Sequence, residues 1–170
     1  WLYSHKLKKY PLAGLFSASI LSILPFFAIF IYYKNFSEII FAHAAFLFFV
    51  LIIRELLKDL ENIKGDIVQD YKTIPVTYGE HFTKILITLL VLLTMNPVYF
   101  LWEYPEIGMM KYYFYFVGIV FFLFLIFLWK ANTKKDYVIL HNTIKLIIFI
   151  GVLSIMLIDT SVIIKRIINV

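Results

Sequence analysis

Between Arg54 and Gly79 the chain reads RELLKDLENIKGDIVQDYKTIPVTYG, its densest run of groups able to do chemistry. Arg54, Glu55, Lys58, Asp59, Asn62 and Asp66 recur at three- and four-residue steps. On a helix turning about 100° per residue, Asp59 and Asp66 lie roughly 20° apart and Asn62 about 60° to one side. One face would then present two carboxylates and an amide, provided that the helix continues past Gly65. The rise from Asp59 to Asp66 would be about 10 Å, too far for both to grip one Mg²⁺. That spacing suits two ions, or ions bridged by a bound diphosphate. Mg²⁺ takes one or two carboxylates and completes its shell with phosphate oxygens and water. Carboxylates alone would repel a diphosphate, so metal ions would have to mediate, with Lys58, Lys64 and Lys72 neutralising the remaining charge. No Gly-rich phosphate loop of the Walker type occurs. On spacing alone, a solvated loop with Glu–Lys pairs fits these residues equally well.

The elements that must position this segment are apolar. Of the 170 residues 62% are hydrophobic and 16% charged, whereas soluble domains run at about 45–50% apolar. Five apolar stretches stand out, near Leu12–Tyr33, Ile39–Ile53, Ile85–Trp102, Tyr112–Trp129 and Leu146–Ile164. A spanning helix needs about 20 such residues. The runs are continuous rather than alternating, which points to helices and not barrel strands. The expected fold is all-α: a multi-pass transmembrane helical bundle of about five spans, forming one domain over residues 1–170. No internal repeat or linker interrupts it, and the absence of Cys excludes disulfides and thiolate sites.

The basic residues orient the bundle. With the start on the cytoplasmic side, twelve of the 16 Lys and Arg fall in cytoplasmic segments; Lys34, Lys111, Lys165 and Arg166 fall opposite. The formal charge of +5 therefore reflects basic loops at a lipid bilayer, not a nucleic-acid partner. Trp102, Tyr104, Tyr112, Tyr113 and Trp129 sit at span ends, as interfacial anchors do. The Arg54–Lys84 segment is then a cytoplasmic-side loop. No obligate protein partner is evident.

RELLKDLENIKGD followed by DYKTIPVTYG resembles the second aspartate-rich motif of the UbiA superfamily of intramembrane prenyltransferases. Arg54, Glu55, Lys58, Asp59, Glu61, Gly65, Asp66, Lys72, Thr73, Pro75 and Gly79 fit that pattern, while Asn62 stands where it commonly has Asp. A second likeness lies in Tyr3-Ser4-His5-Lys6-Leu7-Lys8-Lys9, followed by Pro11. It resembles the family's cytosolic segment after the fourth helix, which helps to hold the diphosphate. The resemblance implies nine transmembrane helices, of which these five would be helices five to nine. The family's first motif, of the N-D-x-x-D-x-x-x-D type, does not occur in this sequence. The chain begins at Trp1, so the expectation is that an N-terminal part lies outside this sequence and that these residues alone are inactive.

The implied activity is Mg²⁺-dependent transfer of a prenyl group from a polyprenyl diphosphate to a lipophilic acceptor. Carried over, Asp59, Asn62 and Asp66 would bind metal, and Lys8, with Lys9 and Tyr3, would hold diphosphate. Arg54, Lys58 and Lys72 would complete the substrate site. The motif's wording is most like the digeranylgeranylglyceryl phosphate synthase-like branch, which makes geranylgeranylglyceryl phosphate the expected acceptor. Prenylation of an aromatic quinone precursor is the alternative, and a transporter or a non-catalytic scaffold are readings of another class. A transporter would set its acids near the membrane midplane; here they fall at the cytoplasmic edge. Phe46, Phe48, Phe49 and Tyr78 lie near the motif but are expected to pack. His43 is expected to make a hydrogen-bonded packing contact within its span, with the cavity as the alternative. His5, His81 and His141 fall at the interface, Asp70 is a loop charge, and Asp159 would pair with Lys165 or Arg166.

Overall fold

The computed structural model describes residues 10–33 and 38–154. Five helices carry the architecture: α1 (Pro11–Tyr33), α2 (Glu38–Glu61), α5 (Glu80–Trp102), α6 (Lys111–Lys130) and α7 (Lys134–Ser154). Two short helices, α3 (Ile63–Val68) and α4 (Ile74–Tyr78), lie between α2 and α5, and a 3₁₀ turn (Pro105–Met110) precedes α6. Among the described residues there is no strand. Among the described residues five helices are long and apolar enough to cross a membrane, so the chain is a multi-pass transmembrane helical bundle.

α2 is the central helix, packed by α1, α5 and α7. Its buried stripe includes Phe46, Val50, Ile53, Leu56, Leu57 and Leu60, the three- and four-residue recurrence of a helix face turned to a core. α6 packs against α5 and α7. The outward faces are apolar too: Ile119, Phe122 and Phe149 are each more than 60% exposed, surface that lipid would cover. Hydroxyls within these helices are satisfied by the preceding turn, as with Ser19 to Leu15, Thr88 to Lys84 and Thr94 to Leu90. Pro97 lies inside α5 and has no N–H to offer the Leu93 carbonyl. Asn96 Nδ2 donates to that carbonyl instead, at 3.2 Å. At Gly151 an added Cβ would meet Tyr113 Oη at 2.6 Å, and that hydroxyl donates to the Ile147 carbonyl at 3.1 Å. The glycine is what lets α6 and α7 approach so closely.

Two expectations are corrected. The last span was expected to begin at Leu146, yet α7 begins at Lys134. Lys134 and Lys135 sit at its mouth and Lys145 on its exposed face, where long stems let the ammonium groups reach polar surroundings. The connection before it is therefore only residues 131–133. The face shared by Asp59 and Asp66 was also drawn on a continuous helix, but α2 stops at Glu61 and the path resumes in α3. The expected end of the last span near Ile164, and the pairing of Asp159, lie outside the described residues.

Candidate functional site

The break at Asn62 shapes the site. Its backbone (φ −111°, ψ 15°) leaves the helix, and its N–H is shared between the Lys58 and Asp59 carbonyls at 3.1 and 3.2 Å. Its side-chain Nδ2 also donates to the Lys58 carbonyl, at 3.1 Å. Asn competes for helical carbonyls in this way, which is why it ends helices more readily than it sits within them. Asn62 is exposed at this corner.

α3 then closes in a second specific turn. The Tyr71 N–H donates to the Asp66 carbonyl at 2.9 Å and the Asp70 N–H to the Ile67 carbonyl at 3.2 Å. With Asp70 in the left-handed region (φ 54°), this is a Schellman motif in which Asp fills the place usually taken by Gly. The turn folds the chain back so that Thr73 Oγ1 donates to Asp66 Oδ2 at 3.3 Å. Both Asp66 and Thr73 are buried.

Glu55, Asp59, Lys72 and Thr73 meet around one narrow cleft. Its far wall is the start of α1, from Tyr10 to Ala18, where the small residues Gly14 and Ala18 leave room. The structure thus brings Asp59 and Lys72 together and holds Asp66 next to them through Thr73. Arg54 and Lys58 are instead held by Glu55, at 3.2 and 2.7 Å. Glu55, whose side chain is 7% exposed, is a buried anchor for two cations. Tyr3, Lys8 and Lys9 lie outside the described residues.

Sequence reading gave no site role to Glu55, Thr73 or Tyr10. For the first two a signal existed, since both belong to the motif. His141, placed at the interface by sequence, is buried, with Nδ1 2.9 Å from Glu61 Oε2. His43 does not line the cleft: its Nδ1 meets the Ile39 carbonyl at 2.8 Å and its ring lies against Phe114. Phe46 packs edge-on against Tyr113 and Phe114, and Tyr78 lies tilted against Phe82. Lys84 is buried below the α6–α7 turn, its Nζ donating to the Ala131 carbonyl at 2.6 Å and lying 3.0 Å from Glu80. Tyr137 donates to the same carboxylate.

The donors around the cleft are hard oxygens, the chemistry that Mg²⁺ prefers. Among the described residues no group of three or more His, Cys, Asp or Glu converges. Two carboxylates and a nearby ammonium suit a metal whose remaining ligands are phosphate and water.

A helical membrane bundle whose acids and a lysine gather at a helix break by the membrane edge is the class that fold and site define. Within that class, the chain belongs to the UbiA prenyltransferase family, whose model matches residues 1–156. It is 35% identical over 98 residues to a digeranylgeranylglyceryl phosphate synthase of Methanobrevibacter smithii, an alignment covering 55% of this chain and 34% of that protein. The chain therefore spans about a third of the length of the curated relative it matches. No solved structure matches it.

Proposed function

We propose that the protein transfers a prenyl group from a polyprenyl diphosphate to a lipophilic acceptor in the membrane, with geranylgeranylglyceryl phosphate as that acceptor. Family membership supports prenyl transfer, and the name of the M. smithii relative supports the glycerol-phosphate-lipid acceptor. The single observation that carries the reading is the cleft itself. It combines Asp59 and Lys72 with a Thr73-oriented Asp66, between a membrane-crossing helix and a surface turn.

In this reading Asp59 and Asp66 would hold Mg²⁺, with Asn62 adding a carbonyl oxygen, and that ion would supply positive charge to offset the diphosphate leaving group. Lys72 meets the phosphate oxygens directly as a compact cation. Lys8, Lys9 and Tyr3, which precede the cleft wall at Tyr10 in sequence, extend that grip. Glu55 keeps Arg54 and Lys58 in fixed positions beside it. The allylic C–O bond breaks with its electron pair on the diphosphate. The acceptor hydroxyl oxygen bonds to the freed carbon, and its proton passes to a diphosphate oxygen. Lipid-facing walls keep prenyl chain and acceptor in an apolar phase, while the charged end stays at the membrane edge. The excess of Lys and Arg in these loops supports the reading that this edge faces the cytoplasm.

The test is prenyl transfer by the full-length protein in membranes. Geranylgeranyl diphosphate is supplied with geranylgeranylglyceryl phosphate or with an aromatic acid, with Mg²⁺ or a chelator, and products are followed by mass spectrometry. The expected product is the prenylated glyceryl phosphate, formed only with Mg²⁺ and lost in Asp59→Ala and Asp66→Ala. Transfer to the aromatic acid alone would move the assignment to quinone precursors. Absence of diphosphate release from folded protein with any acceptor would overturn it.

A further inference from the structure

Prenyl transfer as described gives no task to the pair of His141 and Glu61. His141 lies about two turns into α7 and is 7% exposed, and its Nδ1 lies 2.9 Å from Glu61 Oε2. An ionisable ring within a membrane-crossing helix is unfavourable unless a partner holds it. Its partner comes from 80 positions earlier in the chain. Glu61 is the last residue of α2, and Asn62 directly after it is the break. Asp59 lies just before that corner and Asp66 just after it, so any swing of the corner moves one carboxylate relative to the other.

The body of α2 is fixed by its core stripe, with Leu56 and Leu57 fully buried. Glu61 is only partly buried, its side chain 21% exposed, and packing alone does not fix it. The bond to His141 ties this corner to α7. Nε2 of the same ring is buried and has no hydrogen-bond partner among the described residues.

We infer that His141 is a positioning residue: through Glu61 it fixes the corner between α2 and α3, and so the relative placement of Asp59 and Asp66 for a metal-bound diphosphate. This rests on the prenyl-transfer reading. Groups that orient a metal site from outside its ligand shell typically contribute about 10–100-fold in metal affinity or activity.

The experiment uses the full-length protein in detergent micelles and measures unfolding temperature against Mg²⁺ concentration at fixed inorganic pyrophosphate. His141→Leu should raise the Mg²⁺ concentration giving half of the stabilisation by about tenfold or more. His141→Asn, whose amide N–H can reach the same carboxylate, should stay within about threefold of the original. A His141→Leu protein that melts lower but keeps the original Mg²⁺ midpoint would show a structural staple only and overturn the inference. Should His141→Leu fail to fold, Glu61→Ala leaves the ring in place and is read in the same way. If the unaltered protein gains no stability from Mg²⁺ and pyrophosphate, the prenyl-transfer reading itself falls. That outcome is visible before any variant is compared.

Discussion

Replacing Thr73 with Val tests how Asp66 is aimed. The two side chains have nearly the same shape, so the change removes a hydroxyl and little else. Thr73 stands at the N-cap of α4, but its side chain makes no cap bond there, and the helix start loses nothing. What is lost is the bond from Oγ1 to Asp66 Oδ2, 3.3 Å long and buried. Hydrogen bonds to charged groups contribute about 1.5–3 kcal/mol, and this one exceeds the usual O–H···O length, so about 1.5 kcal/mol is appropriate. Expressed through Mg²⁺ and pyrophosphate binding, that is roughly a tenfold loss of affinity. The assay is the Mg²⁺-dependent rise in unfolding temperature at fixed pyrophosphate, with kcat for prenyl transfer measured alongside. Thr73→Ser keeps the hydroxyl and should behave as the original. A Thr73→Val protein with an unchanged Mg²⁺ midpoint would refute the idea that this hydroxyl orients Asp66.

Lys72→Gln removes the one ammonium that lines the cleft among the described residues. The KM for the prenyl diphosphate should rise by about tenfold, in keeping with a single charge-assisted contact. Lys72→Arg should recover part of that loss in the same steady-state assay. Asp70→Val places a branched residue at φ 54° and should destabilise the protein by about 1–2 kcal/mol. Asp70→Gly, which suits that backbone, should not; unfolding of the purified protein in detergent distinguishes them.

Sequence showed most clearly what is local and repeated. The runs under α5 and α6 carry almost no charge, so their spans could be read directly. The continuation of α2 beyond the apolar stretch agrees with the three- and four-residue recurrence that begins at Arg54, although the helix stops at Glu61 while the recurrence runs on to Asp66. α7 was misjudged because Lys134, Lys135, Asp136 and Lys145 suggested a loop, while the helix places those groups at its mouth and on its exposed face. At the site, Asp59 and Asp66 were legible from the motif, but their geometry was not. The corner lies at Asn62, not at Gly65, because the amide returns to the Lys58 carbonyl. Asp70 read as a loop charge and proved to be the left-handed residue that closes α3. The bond between Glu61 and His141 leaves no mark in local spacing. It depends on how α2 and α7 lie against each other, which neither segment specifies alone.

That long-range bond also sets an order of assembly. Glu61 and its brace are 80 residues apart, so a ribosome adding about 5–20 residues per second needs about 4–16 s to make the second after the first. During that interval α2 can already lie in the bilayer beside α1, with the aspartate-bearing corner at the surface and free to move. The corner between α2 and α3 is therefore among the last parts of this bundle to gain its full set of contacts. An insertion machinery or chaperone that shields α2 until α7 arrives would protect the corner on which the proposed transfer depends.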